Sequence, residues 1–141
     1  MKYLIISIFT LLFVLNASSK EVVIEMLNKR DDGEKMVYSE DIAKIDVGDT
    51  IKWLPTSKGH NVEFVAGPSG ADLPGKSGLN KEVVITFDKP GVYVYVCTPH
   101  KVMGMIALVV VGGDTSNKDI VAKTKMLGRG KKKMAALMGQ I

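Results

Sequence analysis

The sequence predicts a mainly β fold: a two-sheet antiparallel sandwich of about eight short strands, followed by two short C-terminal α-helices. Three observations carry this reading. Short apolar stretches, several of them alternating with polar residues, recur from Glu21 to Val111. Glycine, proline and polar residues mark the joints between them. Beyond Gly112-Gly113 the apolar period changes from that of a strand to that of an amphipathic helix.

The chain opens with Lys2, the apolar run Tyr3 to Leu15 and the small residues Ala17, Ser18 and Ser19. This is the pattern of a secretory signal peptide cleaved between Ala17 and Lys20. The run is short for a membrane span. The expected organisation is a signal peptide at 1–19, a β-sandwich at 20–112, and a helical extension at 113–141 packed on the sandwich as part of the same domain. Losing Lys2 leaves 18 basic residues against 15 acidic ones, a net charge of +3. That modest excess does not call for a nucleic-acid partner, and export argues against one.

Glu21 to Leu27 alternates loosely as a first strand, and Asn28 to Gly33 is a polar turn. Met36 to Tyr38 is a short extended piece. Ala43, Ile45 and Val47 alternate with Lys44 and Asp46, which gives a strand with one wet face. Gly48-Asp49 turns the chain into Thr50 to Leu54, which stops at Pro55. After the loop Thr56 to His60, the stretch Asn61 to Val65 returns to the core. Ala66 to Lys81 holds too much glycine and proline for regular structure and reads as a long surface connection.

Val83, Ile85 and Phe87 alternate again, Pro90-Gly91 turns, and Val92 to Val96 and Ile106 to Val111 are the last two strands. Both faces of Val92 to Val96 are apolar, so the face turned away from the inner core needs a cover. The tail supplies one. Asp114 to Asn117 offers N-caps, and Ile120, Val121, Thr124 and Leu127 share a helical face that ends at Gly128. Met134, Leu137, Met138 and Ile141 make a second such face. Lys131-Lys132-Lys133 opens that second helix, where cations oppose the helix dipole.

The only cysteine, Cys97, and one of only two histidines, His100, lie with Met103 and Met105 in a tight loop between the last two strands. Structural zinc takes four strong Cys or His ligands, and this chain has three: His60, Cys97 and His100. Two imidazoles and a thiolate in a trigonal plane, with a weak thioether, match the blue-copper arrangement. Composition does not choose between Met103 and Met105 for the thioether. A Cys97–His100 nucleophile pair lacks a third residue to orient the base. An unpaired thiol in an exported protein is accounted for by metal ligation.

His60, beside a strand, is the expected buried ligand. His100, on the loop tip, is the expected exposed one, and its ring edge is the expected electron port. Asn61 is expected to tie the two ligand loops together by hydrogen bonds near the sulfur. Pro99 has no N–H and cannot donate to the thiolate, which should hold the reduction potential low.

The spacing Cys97-x2-His100-x4-Met105, with His60 in Gly59-His60-Asn61-Val62, resembles the copper signature of small cupredoxins. The words MLNK, GHNVE, CTPH and MGMIA look most like the pseudoazurin family, and the likeness runs from Glu21 into the tail. The resemblance implies a Greek-key cupredoxin sandwich with a helical extension and one type 1 copper ion per chain. It also implies that Met105, and not Met103, is the axial ligand, and that Met36 lies beside the exposed histidine. Lys101 stands where the family often has an aromatic residue.

By the same resemblance the protein is a soluble periplasmic carrier of single electrons, and a monomer. It is not an enzyme, since protein groups fill every ligand place. Its expected partners are an electron donor such as a cytochrome and denitrification reductases, nitrite or nitrous oxide reductase, with acidic patches. Lys29, Arg30, Lys35, Lys58, Lys76 and Lys101 read either as a basic rim that would receive them or as ordinary solvated surface charges. Neither nucleic acid nor stable membrane association after cleavage is expected. The alternative reading is a periplasmic copper delivery or storage protein, which would favour a more open Met- or His-rich site.

Overall fold

The structure, a computed structural model, describes residues 18–141. The signal peptide expected at 1–19 lies outside the described residues, apart from Ser18 and Ser19. Eight strands form two four-stranded sheets. One has the order β2 (Lys35–Tyr38), β1 (Glu21–Lys29), β4 (Thr50–Leu54), β6 (Val83–Thr86). The other has the order β3 (Ile42–Ile45), β8 (Ile106–Val111), β7 (Gly91–Val96), β5 (Glu63–Ala66).

The sheets are mixed, where the sequence predicts antiparallel pairing throughout. β1 runs parallel to β4, with Glu21 opposite Thr50 and Glu25 opposite Leu54, and β3 runs parallel to β8. Between β1 and β4 the chain leaves the first sheet, makes β3 in the second, and returns. That round trip is the long crossover a parallel pair requires. Residue alternation reports which face a side chain takes and is blind to strand direction. Asp49, only 5 % exposed, fixes the start of the parallel pair: its carboxylate accepts the N–H of Lys20 at 2.8 Å and of Asp46 at 2.9 Å.

Period two sorts the side chains around β7. Tyr93, Tyr95 and Cys97 face the inner core with Trp53, Phe64, Phe87 and Met105. Val92, Val94 and Val96 face the opposite way, and every residue of β7 and β8 is buried. The cover is the tail, as the apolar outer face demands: Val121, Met134, Leu137 and Met138 pack on Val92, Val94, Val96, Ile106, Leu108 and Val110. At about 1.5–3 kcal/mol per fully buried large apolar side chain, this contact holds the tail firmly. Among the described residues no helix is long and apolar enough to cross a membrane.

Two helices make up the tail, α1 (Lys118–Val121) and α2 (Arg129–Met138). α1 is a single turn and does not extend to Leu127 as the sequence predicts. Of the expected face Val121 is buried, while Ile120 and Leu127 are 68 % and 62 % exposed. Two polar side chains account for the difference. Asn117 does not cap the helix: its Oδ1 accepts the N–H of Val92 at 2.8 Å and its Nδ2 donates to the Val92 carbonyl at 2.9 Å. The Thr124 hydroxyl donates to the Val121 carbonyl at 2.6 Å, a side-chain bond that competes with further helix.

In α2 Met134, Leu137 and Met138 are buried. One of its lysines has a partner that explains it: Lys133 Nζ donates to Asp41 at 2.6 Å, and Asp41 also accepts from Arg30 at 3.2 Å.

The connection over residues 67–82 has no regular structure and lies at the surface, as the sequence predicts, and it also acts as a strap. Ser77 N–H donates to the Val62 carbonyl at 2.9 Å, Val62 N–H to Ser77 Oγ at 3.0 Å, and Asn80 N–H to the His60 carbonyl at 2.9 Å. Gly59 N–H donates to Asn80 Oδ1 at 2.6 Å. The strap therefore holds the backbone on both sides of His60.

The seat of α2 leaves no room at Gly130. A Cβ there would run into the carbonyl oxygen of Lys101, next to His100, and would press on Ile106 Cδ1 at 3.0 Å. Gly130→Ala is expected to destabilise the protein by about 1–3 kcal/mol through overpacking, read as a lower urea midpoint. Gly139→Ala, where the nearest atom would be the Ala136 carbonyl oxygen at 3.5 Å, is the matched control and should leave the midpoint nearly unchanged.

Candidate metal centre

The alternation that buries Tyr93 and Tyr95 also points Cys97, the next residue on that face, into the sandwich, where it is fully buried. After it the chain makes one 3-10 turn, Lys101–Met103, and Gly104 closes that turn with φ +102°. Only glycine takes that conformation without strain. The turn is tied to itself: Cys97 N–H donates to the Met105 carbonyl at 3.0 Å, and Met105 N–H to the His100 carbonyl at 3.2 Å. Cys97, His100 and Met105 are thus fixed within one short loop, and His60 reaches them from the strapped loop before β5.

His60, Cys97 and His100 form a cluster whose donor atoms all lie within 4.8 Å of one another. His60 Nδ1 is 3.2 Å from His100 Nδ1, and Cys97 Sγ is 3.7 Å from His60 Nδ1 and 3.4 Å from His100 Nδ1. A triangle with these edges has a point ~2 Å from every corner, the length of bonds from zinc to histidine nitrogen, with sulfur slightly longer. The cluster thus fits a single bound ion. Met105 is fully buried beside it in the same core, while Met103 is 47 % exposed. Burial favours Met105 over Met103 as the thioether of the set.

His60 is fully buried and His100 half-buried, so the two imidazoles are not equivalent. His60 Nε2 lies 2.8 Å from Asn28 Oδ1. A carbonyl oxygen only accepts, so Nε2 carries the proton and Nδ1 presents its lone pair to the cluster. Asn28 escaped the sequence reading, in which it opens a polar turn. Its partner is distant in sequence, and nothing local sets it apart from the polar residues that follow it. Burial, and next the neighbouring His100, hold His60 below the ordinary imidazole value of 6.5. Burial pushes the Cys97 thiol up, against the opposing pull of the backbone N–H groups of Asn61 and His100 on the sulfur. A metal must therefore displace the thiol proton to bind.

Asn61, 2 % exposed, links the two loops: its Oδ1 accepts the N–H of Thr98 at 2.8 Å and its Nδ2 donates to Thr98 Oγ1 at 2.9 Å. The Tyr38 hydroxyl donates to the Asn61 carbonyl at 2.8 Å from the facing sheet. Pro99 is exposed on the loop tip. Met36 is half-buried against the inner core with φ +52°, a left-handed conformation uncommon for a side chain of its size.

Of the basic residues expected around the site, Lys29, Lys35, Lys58 and Lys76 are exposed and Lys101 is half-buried. Arg30 departs from that set, because Asp32 and Asp41 bind its guanidinium at 2.7 and 3.2 Å.

The copper-binding proteins of the plastocyanin/azurin family match residues 24–112. The pseudoazurin of Methylorubrum extorquens is 42% identical over 129 residues, which cover 90% of this chain and 86% of that protein. The pseudoazurin of Paracoccus pantotrophus is 37% identical, over 84% of this chain and 81% of that protein. The crystal structure of native pseudoazurin from Hyphomicrobium denitrificans superposes with a TM-score of 0.79 at 40% identity, over 86% of this chain and 98% of that one.

The depressed His60 value gives the metal-free protein a pH signature. In the unfolded chain His60 takes up a proton near 6.5, whereas in the folded protein it resists until lower pH, so in that window the unfolded state binds more protons. Stability should hold level above about pH 6.5 and fall as the pH drops through the folded value. Urea midpoints of metal-free protein across that range would show it, and a midpoint insensitive to pH there would contradict the assignment.

Proposed function

The chain belongs to the pseudoazurins, within the plastocyanin/azurin family of copper-binding proteins, and on that premise we propose that His60, Cys97, His100 and Met105 hold its copper ion. The protein is a cupredoxin electron carrier and not an enzyme. The observation that supports the ligand set most directly is the convergence of two Nδ1 atoms and one Sγ on a common point. Copper in such a site supplies a one-electron couple.

The protein's part is to hold the donors still. Cys97 stands at the end of a buried strand, Met105 at the start of the next, and the strap fixes the His60 backbone, so little can rearrange between oxidation states. His100 is the port: its half-buried ring is the one ligand open to a partner, with exposed Val102 and Met103 beside it. Met36 adjoins that ring, and Pro99 withholds a third N–H from the sulfur. The carrier is exported to the periplasm with residues 1–19 removed, and works as a monomer. It passes electrons from a donor such as a cytochrome to an acidic reductase of denitrification, nitrite or nitrous oxide reductase, received on Lys29, Lys35, Lys58, Lys76 and Lys101.

Copper-loaded, oxidised protein is expected to be intensely blue from thiolate-to-metal charge transfer, and Cys97→Ser to remove the colour. A colourless, redox-silent loaded protein would overturn the carrier reading in favour of copper delivery or storage. Pro99→Ala, which adds a backbone donor at the thiolate, should raise the midpoint potential. A fall measured by redox titration would refute that role for Pro99.

A further inference from the structure

Glu63 is the first residue of β5, three places beyond His60, and it forms no ion pair among the described residues. Its carboxylate accepts the Thr98 hydroxyl proton at 2.7 Å. A hydroxyl has one proton, so Thr98 Oγ1 is left with lone pairs alone, and one of these accepts Asn61 Nδ2–H at 2.9 Å. Asn61 Oδ1 then faces the Thr98 N–H at 2.8 Å. The carboxylate at one end thus fixes the direction of the Thr98 hydroxyl, and the Asn61 amide and the Thr98 N–H continue the chain of bonds in one sense. The two residues so joined are the chain neighbours of the cluster: Asn61 follows His60 and Thr98 follows Cys97.

We propose that Glu63 is a positioning residue that tunes the metal centre, its carboxylate acting through Thr98 and Asn61 to favour the oxidised state of the site and lower its reduction potential. This deepens the carrier reading and rests on it. The Thr98–Glu63 bond is charge-assisted, and such bonds are about twice as strong as neutral ones. Chained hydrogen bonds also polarise one another in a poorly solvated interior. A negative charge at the end of the chain stabilises whichever state of the site carries the extra positive charge. The orientation of the Asn61 side chain is held besides by the Thr98 N–H on its Oδ1 and by the Ser77 carbonyl, which accepts from its Nδ2 at 3.2 Å, so removing the charge leaves the junction in place.

The test is the midpoint potential of copper-loaded Glu63→Gln, an amide that can still accept from Thr98 but carries no charge. The ratio of reduced to oxidised protein at fixed applied potential should rise about five- to tenfold, a tenfold change being 59 mV for one electron. Thr98→Val cuts the relay and leaves the charge in place. In that background the effect of Glu63→Gln should shrink to less than half, and Thr98→Ser should restore it. In metal-free protein the backbone amide resonances of Asn61 and Thr98 should move upfield in Glu63→Gln.

A blue, reversible wild type whose potential is unmoved by Glu63→Gln overturns the proposal and leaves the carrier reading intact. An effect of equal size with and without the Thr98 hydroxyl overturns the relay by showing that the charge acts through space. A colourless wild type sinks the carrier reading instead, and the amide shifts of the metal-free protein then decide the relay alone.

Discussion

The donor cluster depends on one pair of hydrogen bonds, those between the side-chain amide of Asn61 and the backbone and hydroxyl of Thr98. His60 and Cys97 belong to different loops, and nothing in either loop alone would bring a ring nitrogen within 3.7 Å of the sulfur. Asn61 follows one ligand and Thr98 follows the other, so joining them sets the separation of the ligands that precede them. Asn61 is buried and Thr98 half-buried, and an unmade hydrogen bond at a buried group costs about 1–3 kcal/mol. That cost makes the pairing obligatory.

Around this junction the fold divides its labour between rigid and irregular backbone. The sulfur follows directly on a strand whose six residues are all buried, which holds it firmly. His60 stands on irregular chain that would be mobile by itself, and the strap from Ser77 to Asn80 supplies from outside the order that a strand would supply from within. Asn28 completes the arrangement from the opposite sheet by setting which imidazole nitrogen keeps its proton. A single ligand is therefore held by three parts of the chain far apart in sequence.

What was legible in the sequence follows the range of the interaction involved. Cys97, His100 and Met105 lie within nine residues and could be read together, and His60 could be added because only two histidines exist. The strands were legible from alternation, and the need for a cover over Val92, Val94 and Val96 from their apolar character on both faces. Strand direction was not, because a parallel and an antiparallel strand bury the same alternate residues. Asn28 and the strap were hidden because a polar residue carries no sign of a partner 15 to 32 positions away. The length of α1 was misread because Asn117 and Thr124, good local capping and turn residues, take their hydrogen bonds elsewhere. Lys133, read from the sequence as part of the opening of the second helix, is the fifth residue of α2 and made sense only once Asp41 was seen beside it.

The apolar outer face of β7 and β8 has a further implication. Six aliphatic side chains on two long paired strands, with no charge among them, are what one polypeptide offers another when sheets stack between molecules. Only the last thirty or so residues stand between that surface and a neighbouring copy, and they are joined to it through an irregular stretch over residues 122–128. Proteolytic clipping of that stretch would therefore do more than trim an appendage: it would leave a protein prone to aggregate while keeping His60, Cys97, His100 and Met105 in the sequence.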